Sequence, residues 1–197
     1  MLRINPPAGA LMLSEYVDLK PGDWVVQNAA NSGVGRAVIA IGKERGIQTI
    51  NLVRRDDVIP EVVAAGGDVV LKDDDDAVSR IAGTVGDKPI SYGRHRNREV
   101  GKNAVTAWSS RWLRLHGWLR RARRLPAMDK DITLHSFYQV RPEYDAKIPR
   151  ILDQATALIT SGKLNVPVAA TYPLSAIKDA VAHVERGGKV LLDAQET

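Results

Sequence analysis

Residues Gln27 to Arg55 read QNAANSGVGRAVIAIGKERGIQTINLVRR, and no other stretch narrows the choice of fold as far. Trp24-Val25-Val26 supplies the apolar run of a buried strand. Ala30, Ser32, Gly33 and Gly35 follow, small enough for a turn whose backbone a pyrophosphate could approach. Val34, Ala37, Val38 and Ile41 recur at helical spacing, which predicts a helix with one face on a sheet. Gly46 ends that helix, and Thr49 to Val53 reads as a second strand. Strand, small-residue turn, helix and strand together make the βαβ unit of a dinucleotide site. The turn departs from GxGxxG, reading AxSxxG at Ala30, Ser32 and Gly35, so its context carries more weight than its glycines. The end of the second strand bears on the choice of nucleotide. An acid there suits the ribose hydroxyls of NAD, whereas Arg54-Arg55 suits the 2′-phosphate of NADP(H). A plain packing turn followed by two solvated arginines is the alternative on the same residues.

The chain has 197 residues, enough for one domain with a sizeable core, or one domain plus a fragment. It has no cysteine, which excludes disulfides and thiolate metal sites. His95, His116, His135 and His183 show no metal-ligand spacing, and no metal is expected. No apolar run is long enough to span a bilayer, and Met1-Leu2-Arg3 begins no signal peptide, so the expectation is a soluble, cytoplasmic protein. The net charge of +5 is unevenly spread. Between Ser91 and Pro126 nine arginines and Lys102 face only Glu99, so that segment carries +9 and the remainder −4.

Elsewhere helical and strand patterns alternate. Leu11 to Val17 reads as a short helix after Asn5-Pro6-Pro7, and Lys20-Pro21-Gly22-Asp23 as a type II turn. Asp57 to Ala65 reads as a helix closed by Gly66-Gly67, and Asp68 to Leu71 as a third strand. Asp73 to Asp76 is an acidic run just before the next helical pattern; it could suggest a metal, but it reads as a solvated cap that the helix dipole favours. Asp131 to Val140 is expected as a strand, Tyr144 to Thr160 as a helix, and Val166 to Tyr172 as a strand. Ser175 to Arg186 is expected as a helix and Lys189 to Leu192 as a last strand. This order predicts an α/β fold: a Rossmann-like, doubly wound, mostly parallel sheet.

Several segments resemble the zinc-free medium-chain dehydrogenase/reductases, above all the 2-enoyl thioester reductases, with the quinone oxidoreductases next. They are NPPAGALML (5–13), LKPGDWVVQNAANSGVGRAVI (19–39), INLVRR (50–55), KDITLHSFY (130–138), GKLNVPVAATYPL (162–174) and GGKVLL (187–192). The resemblance implies NADPH-dependent reduction of a 2-enoyl thioester or similar activated alkene, with hydride passing to the β-carbon. It implies that Asn31, Ser32, Gly33, Val34 and Gly35 line the pyrophosphate, and that Arg54, with Arg55, meets the 2′-phosphate. It divides the chain into an NADP-binding domain over 1–163 and, over 164–197, the returning segment of a catalytic domain. It also implies a homodimer paired through Asp131 to Val140, provided the central strands form. Two departures stand out. The proton-donating tyrosine of the family's catalytic domain has no counterpart here, and Ala8 replaces the threonine of the usual NPxTA pattern.

Residues 91–126 occupy the place of the family's fourth and fifth strands but show no strand alternation, and they hold three of the four tryptophans. One legal choice of codons for Ser91 to Lys102, read a base later, gives RMDGIGTGKSA, which resembles the missing fourth strand and its loop. A compensated frameshift over roughly 91–124, with a short deletion near Met128-Asp129-Lys130, is therefore expected to disrupt the central strands. Two rivals stay open: a basic nucleic-acid or membrane segment in which Trp108, Trp112 and Trp118 interleave with arginines, and a solvated disordered insert. The competing functional classes are accordingly a nucleic-acid-binding module through residues 94–124 and a catalytically inactive remnant.

Overall fold

The computed structural model describes residues 2–16, 18–85, 137 and 139–195. They fall into two compact units, Met1–Leu164 and Asn165–Thr197. In the first, helix α1 (Asn5–Glu15) precedes strand β1 (Trp24–Asn28), helix α2 (Gly33–Glu44) and strand β2 (Gln48–Val53). Helix α3 (Ile59–Ala64), strand β3 (Val69–Lys72) and helix α4 (Ala77–Val85) follow. After the undescribed stretch come α5 (Pro142–Asp145) and α6 (Ile148–Thr160). The second unit holds β4 (Ala170–Pro173), α7 (Ile177–Arg186) and β5 (Val190–Asp193).

The three strands of the first unit form a parallel sheet in the order β1-β2-β3, with Val26 beside Ile50, Asn28 beside Leu52 and Val53 beside Lys72. Strand alternation sorts their side chains into two faces. Trp24, Val26, Ile50 and Leu52 form one apolar cluster with Ala77 and Ile81 of α4. Val25 points the other way, into a cluster with Ala37, Val38 and Ile41 of α2, Ala10 and Leu13 of α1, and Leu158 of α6. Val53 joins Ile39, Val58 and Val62 on that same face. Ile50, Leu52 and Val53 are almost fully buried, and each such side chain stabilises the fold by roughly 1.5–3 kcal/mol. Helices on both faces of a parallel sheet make the α/β, doubly wound arrangement expected for a Rossmann-like fold. Residues 91–126, where disruption of the central strands or a basic binding segment was expected, lie outside the described residues.

The second unit is a parallel pair, β4 and β5, with Ala170 beside Val190 and Tyr172 beside Leu192. Its crossover helix α7 leaves Ile177, Val181 and Val184 exposed.

Several boundaries differ from the sequence reading. Helix α1 begins at Asn5, not Leu11, because Pro6 and Pro7 sit in its first turn, where a missing N–H costs nothing. The acidic run lies just before α4, where the sequence placed it; there Asp74 accepts from the backbone N–H of Asp76 and pairs with Arg80. The 57–65 helix opens as a 3₁₀ turn (Asp56–Val58), and the 144–160 helix breaks between α5 and α6, with Pro149 in the first turn of the second. The 175–186 helix likewise opens with a 3₁₀ turn (Leu174–Ala176). Strand β4 starts only at Ala170, beyond Pro167, which has no N–H for a ladder. Of the strand expected over Asp131 to Val140, residues 131–136 and 138 lie outside the described residues. Phe137, Gln139 and Val140 belong to no strand. Phe137 packs between the rings of Tyr16 and Tyr144, and the Gln139 amide donates to the Arg3 carbonyl, which draws this end onto α1.

Candidate functional site

At the carboxyl end of β1 the chain reverses within four residues. The Ser32 N–H donates to the Ala29 carbonyl (2.9 Å), and the Ala30 N–H to the Leu52 carbonyl of β2 (3.2 Å). Ala29 takes a left-handed conformation (φ +49°) that costs an alanine on the order of 1 kcal/mol. Ser32 then caps α2: its backbone is extended, and its Oγ accepts from the Gly35 N–H (3.1 Å). The N–H groups of Gly33 and Val34 open the helix and have no protein acceptor among the described residues. A twelve-residue helix directs its positive end at the same point. Asn31 and Ser32 are exposed, Gly33 and Val34 half-buried, and Gly35 buried.

Gly35 is required by contact. A Cβ there would lie 2.5 Å from the Ala30 carbonyl oxygen and 2.7 Å from both the Ala30 carbonyl carbon and Cα. Of the sequence-expected turn residues it is the one that lets helix and strand close on each other.

The two arginines at the end of β2 are not equivalent. Both are exposed, but Arg55 pairs with Asp57 (3.0 Å), whereas Arg54 has no ion-pair partner among the described residues. Lys72, at the end of β3 and in register beside Val53, pairs with Asp56 (2.6 Å). That contact, first a hydrogen bond and then a Coulombic attraction, raises the Lys72 pKa. Parallel pairing puts Arg54, Lys72 and the 29–35 turn at one end of the sheet, where ligands of open α/β folds bind.

Beneath the turn runs a polar relay that the motif reading missed. The buried Gln27 amide donates to the Gly35 carbonyl (3.0 Å) and to Asn51 Oδ1 (2.7 Å). The Asn51 amide donates to Thr49 Oγ1 (2.9 Å) and to the Val69 carbonyl (3.1 Å). The Thr49 hydroxyl and N–H both donate to Asp68 Oδ2 (3.1 and 2.8 Å). The relay ties the first turn of α2 to all three strands. Its signal in the sequence is polar side chains at 27, 49 and 51, all on one face of otherwise apolar strands. Arg36, also buried, pairs with Glu61 of α3, and burial lowers its pKa.

The sequence profile of the zinc-binding dehydrogenase family matches residues 14–191. The chain belongs to this family. Its relatives include the mitochondrial enoyl-[acyl-carrier-protein] reductase of Caenorhabditis elegans, 55% identical over 53 residues (27% of this chain, 15% of the relative). The Arabidopsis thaliana protein of that name is 37% identical over 92 residues (45% of this chain, 24% of the relative). Among solved structures, the mitochondrial 2-enoyl thioester reductase heterodimer of Candida tropicalis superposes with a TM-score of 0.66 at 19% identity. That match covers 97% of this chain and 60% of the other. Escherichia coli quinone oxidoreductase complexed with NADPH gives 0.66 at 20% identity, over 98% and 63%. These structural likenesses establish a shared fold. The matched stretch is under a quarter of either curated relative, and the chain spans about three fifths of the two solved proteins.

Among the described residues the family's zinc finds no donor set. The chain has no cysteine, and among the described residues no three His, Asp or Glu side chains cluster closely enough to hold a metal.

Proposed function

We infer that this member of the zinc-binding dehydrogenase family carries the nucleotide-binding part of an NADPH-dependent reductase acting on a 2-enoyl thioester or similar activated alkene. One observation carries the cofactor half of this reading: Arg54, exposed and without an ion-pair partner among the described residues, stands at the same sheet end as the uncapped N–H groups of Gly33 and Val34. Those groups, with Ser32 and Gly35 shaping the turn and Asn31 at its rim, would hold the pyrophosphate. Arg54, joined by Arg55, would hold the 2′-phosphate; charge-assisted bonds of this kind contribute about 1.5–3 kcal/mol. NADPH, when bound, supplies the hydride. The protein's part in these residues is to bind and orient. The names of the curated relatives support the alkene substrate class.

The test is nucleotide fluorescence titration of the 197-residue chain with NADPH and NADH, before and after Arg54→Ala. NADPH is expected to bind more tightly than NADH, and Arg54→Ala to remove about tenfold or more of that preference. Equal affinities that Arg54→Ala leaves unchanged would refute the reading. These 197 residues by themselves, whose part is to bind and orient the nucleotide, should reduce crotonyl-CoA little or not at all; ordinary enzymatic turnover would refute that part. We further propose that the protein is cytoplasmic and pairs with a second copy of itself. The described residues contain no helix long and apolar enough to cross a membrane.

A further inference from the structure

We propose that the ion pairs Arg55–Asp57 and Lys72–Asp56 set the nucleotide preference of this site, by occupying two carboxylates that would otherwise favour a ribose diol and repel a 2′-phosphate. The inference rests on the dinucleotide reading above.

Residues 54–57 read Arg-Arg-Asp-Asp, so the end of β2 carries determinants for both nucleotides within four positions. A free carboxylate accepts hydrogen bonds from the ribose hydroxyls, and a free guanidinium binds a phosphate. Sequence order does not say which of the four side chains are free. The structure assigns partners: Asp57 lies 3.0 Å from Arg55 and Asp56 2.6 Å from Lys72. Both carboxylates are engaged, and Arg54 is left as the cation with no ion-pair partner among the described residues.

Lys72 comes from a different strand and is held there by the sheet. It lies in register beside Val53, and the Asp73 N–H donates to the Val53 carbonyl (2.7 Å), fixing the end of β3 against β2. The five side chains Arg54, Arg55, Lys72, Asp56 and Asp57 carry a net charge of +1. Neutralising Asp57 makes the group +2 and releases Arg55. Neutralising Lys72 makes it 0 and releases Asp56. The two changes should therefore move the preference in opposite directions. Arg55, Asp56 and Asp57 are exposed and Lys72 is half-buried, so these variants should keep the fold, and the pairs should respond to salt.

The experiment measures NADPH and NADH dissociation constants for the 197-residue chain and for Asp57→Asn, Lys72→Gln and Arg54→Ala, at low salt and at about 0.5 M salt. Asp57→Asn should tighten NADPH about threefold with NADH unchanged. Lys72→Gln should weaken NADPH about threefold with NADH unchanged or tighter. Both effects should shrink at high salt. If neither variant moves the NADPH/NADH ratio while Arg54→Ala lowers it, the proposal is overturned and the NADP reading stands. If none of the three moves it, both are overturned.

Discussion

Replacing Gly35 by alanine should unfold the nucleotide end of the sheet, although the same change stabilises most exposed helices. Glycine inside a helix costs roughly 0.5–1 kcal/mol relative to alanine, so the intrinsic effect favours the variant. The contacts oppose it. The new methyl would sit 2.5–2.7 Å from three backbone atoms of Ala30, which no side-chain rotation can relieve. Forcing the turn apart costs about 1–3 kcal/mol by overpacking alone. Opening it also lengthens the Ser32 cap on the Gly35 N–H, about 1 kcal/mol, and the Gln27 bond to the Gly35 carbonyl, about another 1 kcal/mol. The net expectation is a loss of about 3 kcal/mol, a large part of the roughly 5–15 kcal/mol that holds a domain together. Gly83 is the control: it lies in α4, and a Cβ there would meet nothing within 4 Å, so Gly83→Ala should gain about 0.5–1 kcal/mol. Urea denaturation followed by circular dichroism measures both, and NADPH titration shows whether the turn survives. A Gly35→Ala variant within about 1 kcal/mol of the parent, with unchanged nucleotide affinity, would refute the close-approach argument.

Two further predictions concern groups outside the turn. Gln27→Met keeps the volume but leaves Asn51 Oδ1 and the Gly35 carbonyl without their amide donor. Stability should fall by about 2 kcal/mol, and an unchanged urea midpoint would show that the relay contributes nothing. The Tyr16 phenol has a raised pKa, chiefly through burial and then through the hydrogen bond with Tyr144. The folded chain thus holds that proton more tightly than the unfolded one, so the stability it contributes is present below about pH 10 and is lost as pH rises further. Tyr16→Phe should make the fall in stability between about pH 9 and 11 shallower, and parallel curves for the two proteins would rule this out.

Some of the fold was legible because local chemistry decides it. The apolar run Trp24-Val25-Val26, the strand pattern of Thr49 to Val53, the small residues between Ala30 and Gly35, and the helical spacing of Val34 to Ile41 each need only a few neighbouring residues to act. Boundaries were less legible. Pro6 and Pro7 look like a break in sequence, yet the first turn of a helix tolerates them, and α1 runs through both. Val166 looks like the start of a strand, but Pro167 delays pairing to Ala170.

The site divides along the same line. By itself the sequence determined that a strand-turn-helix places backbone N–H groups at the carboxyl end of a parallel sheet, followed by two arginines, since chain order and short-range sterics suffice for that. Only the tertiary structure decided which of those arginines has its charge answered by a neighbour. It also decided that Lys72 stands beside them from another strand, and that Gln27 reaches Asn51 under the turn. The last two facts depend on strand register, which brings residues distant along the chain to within hydrogen-bonding distance, and register is set by the packing of both sheet faces together.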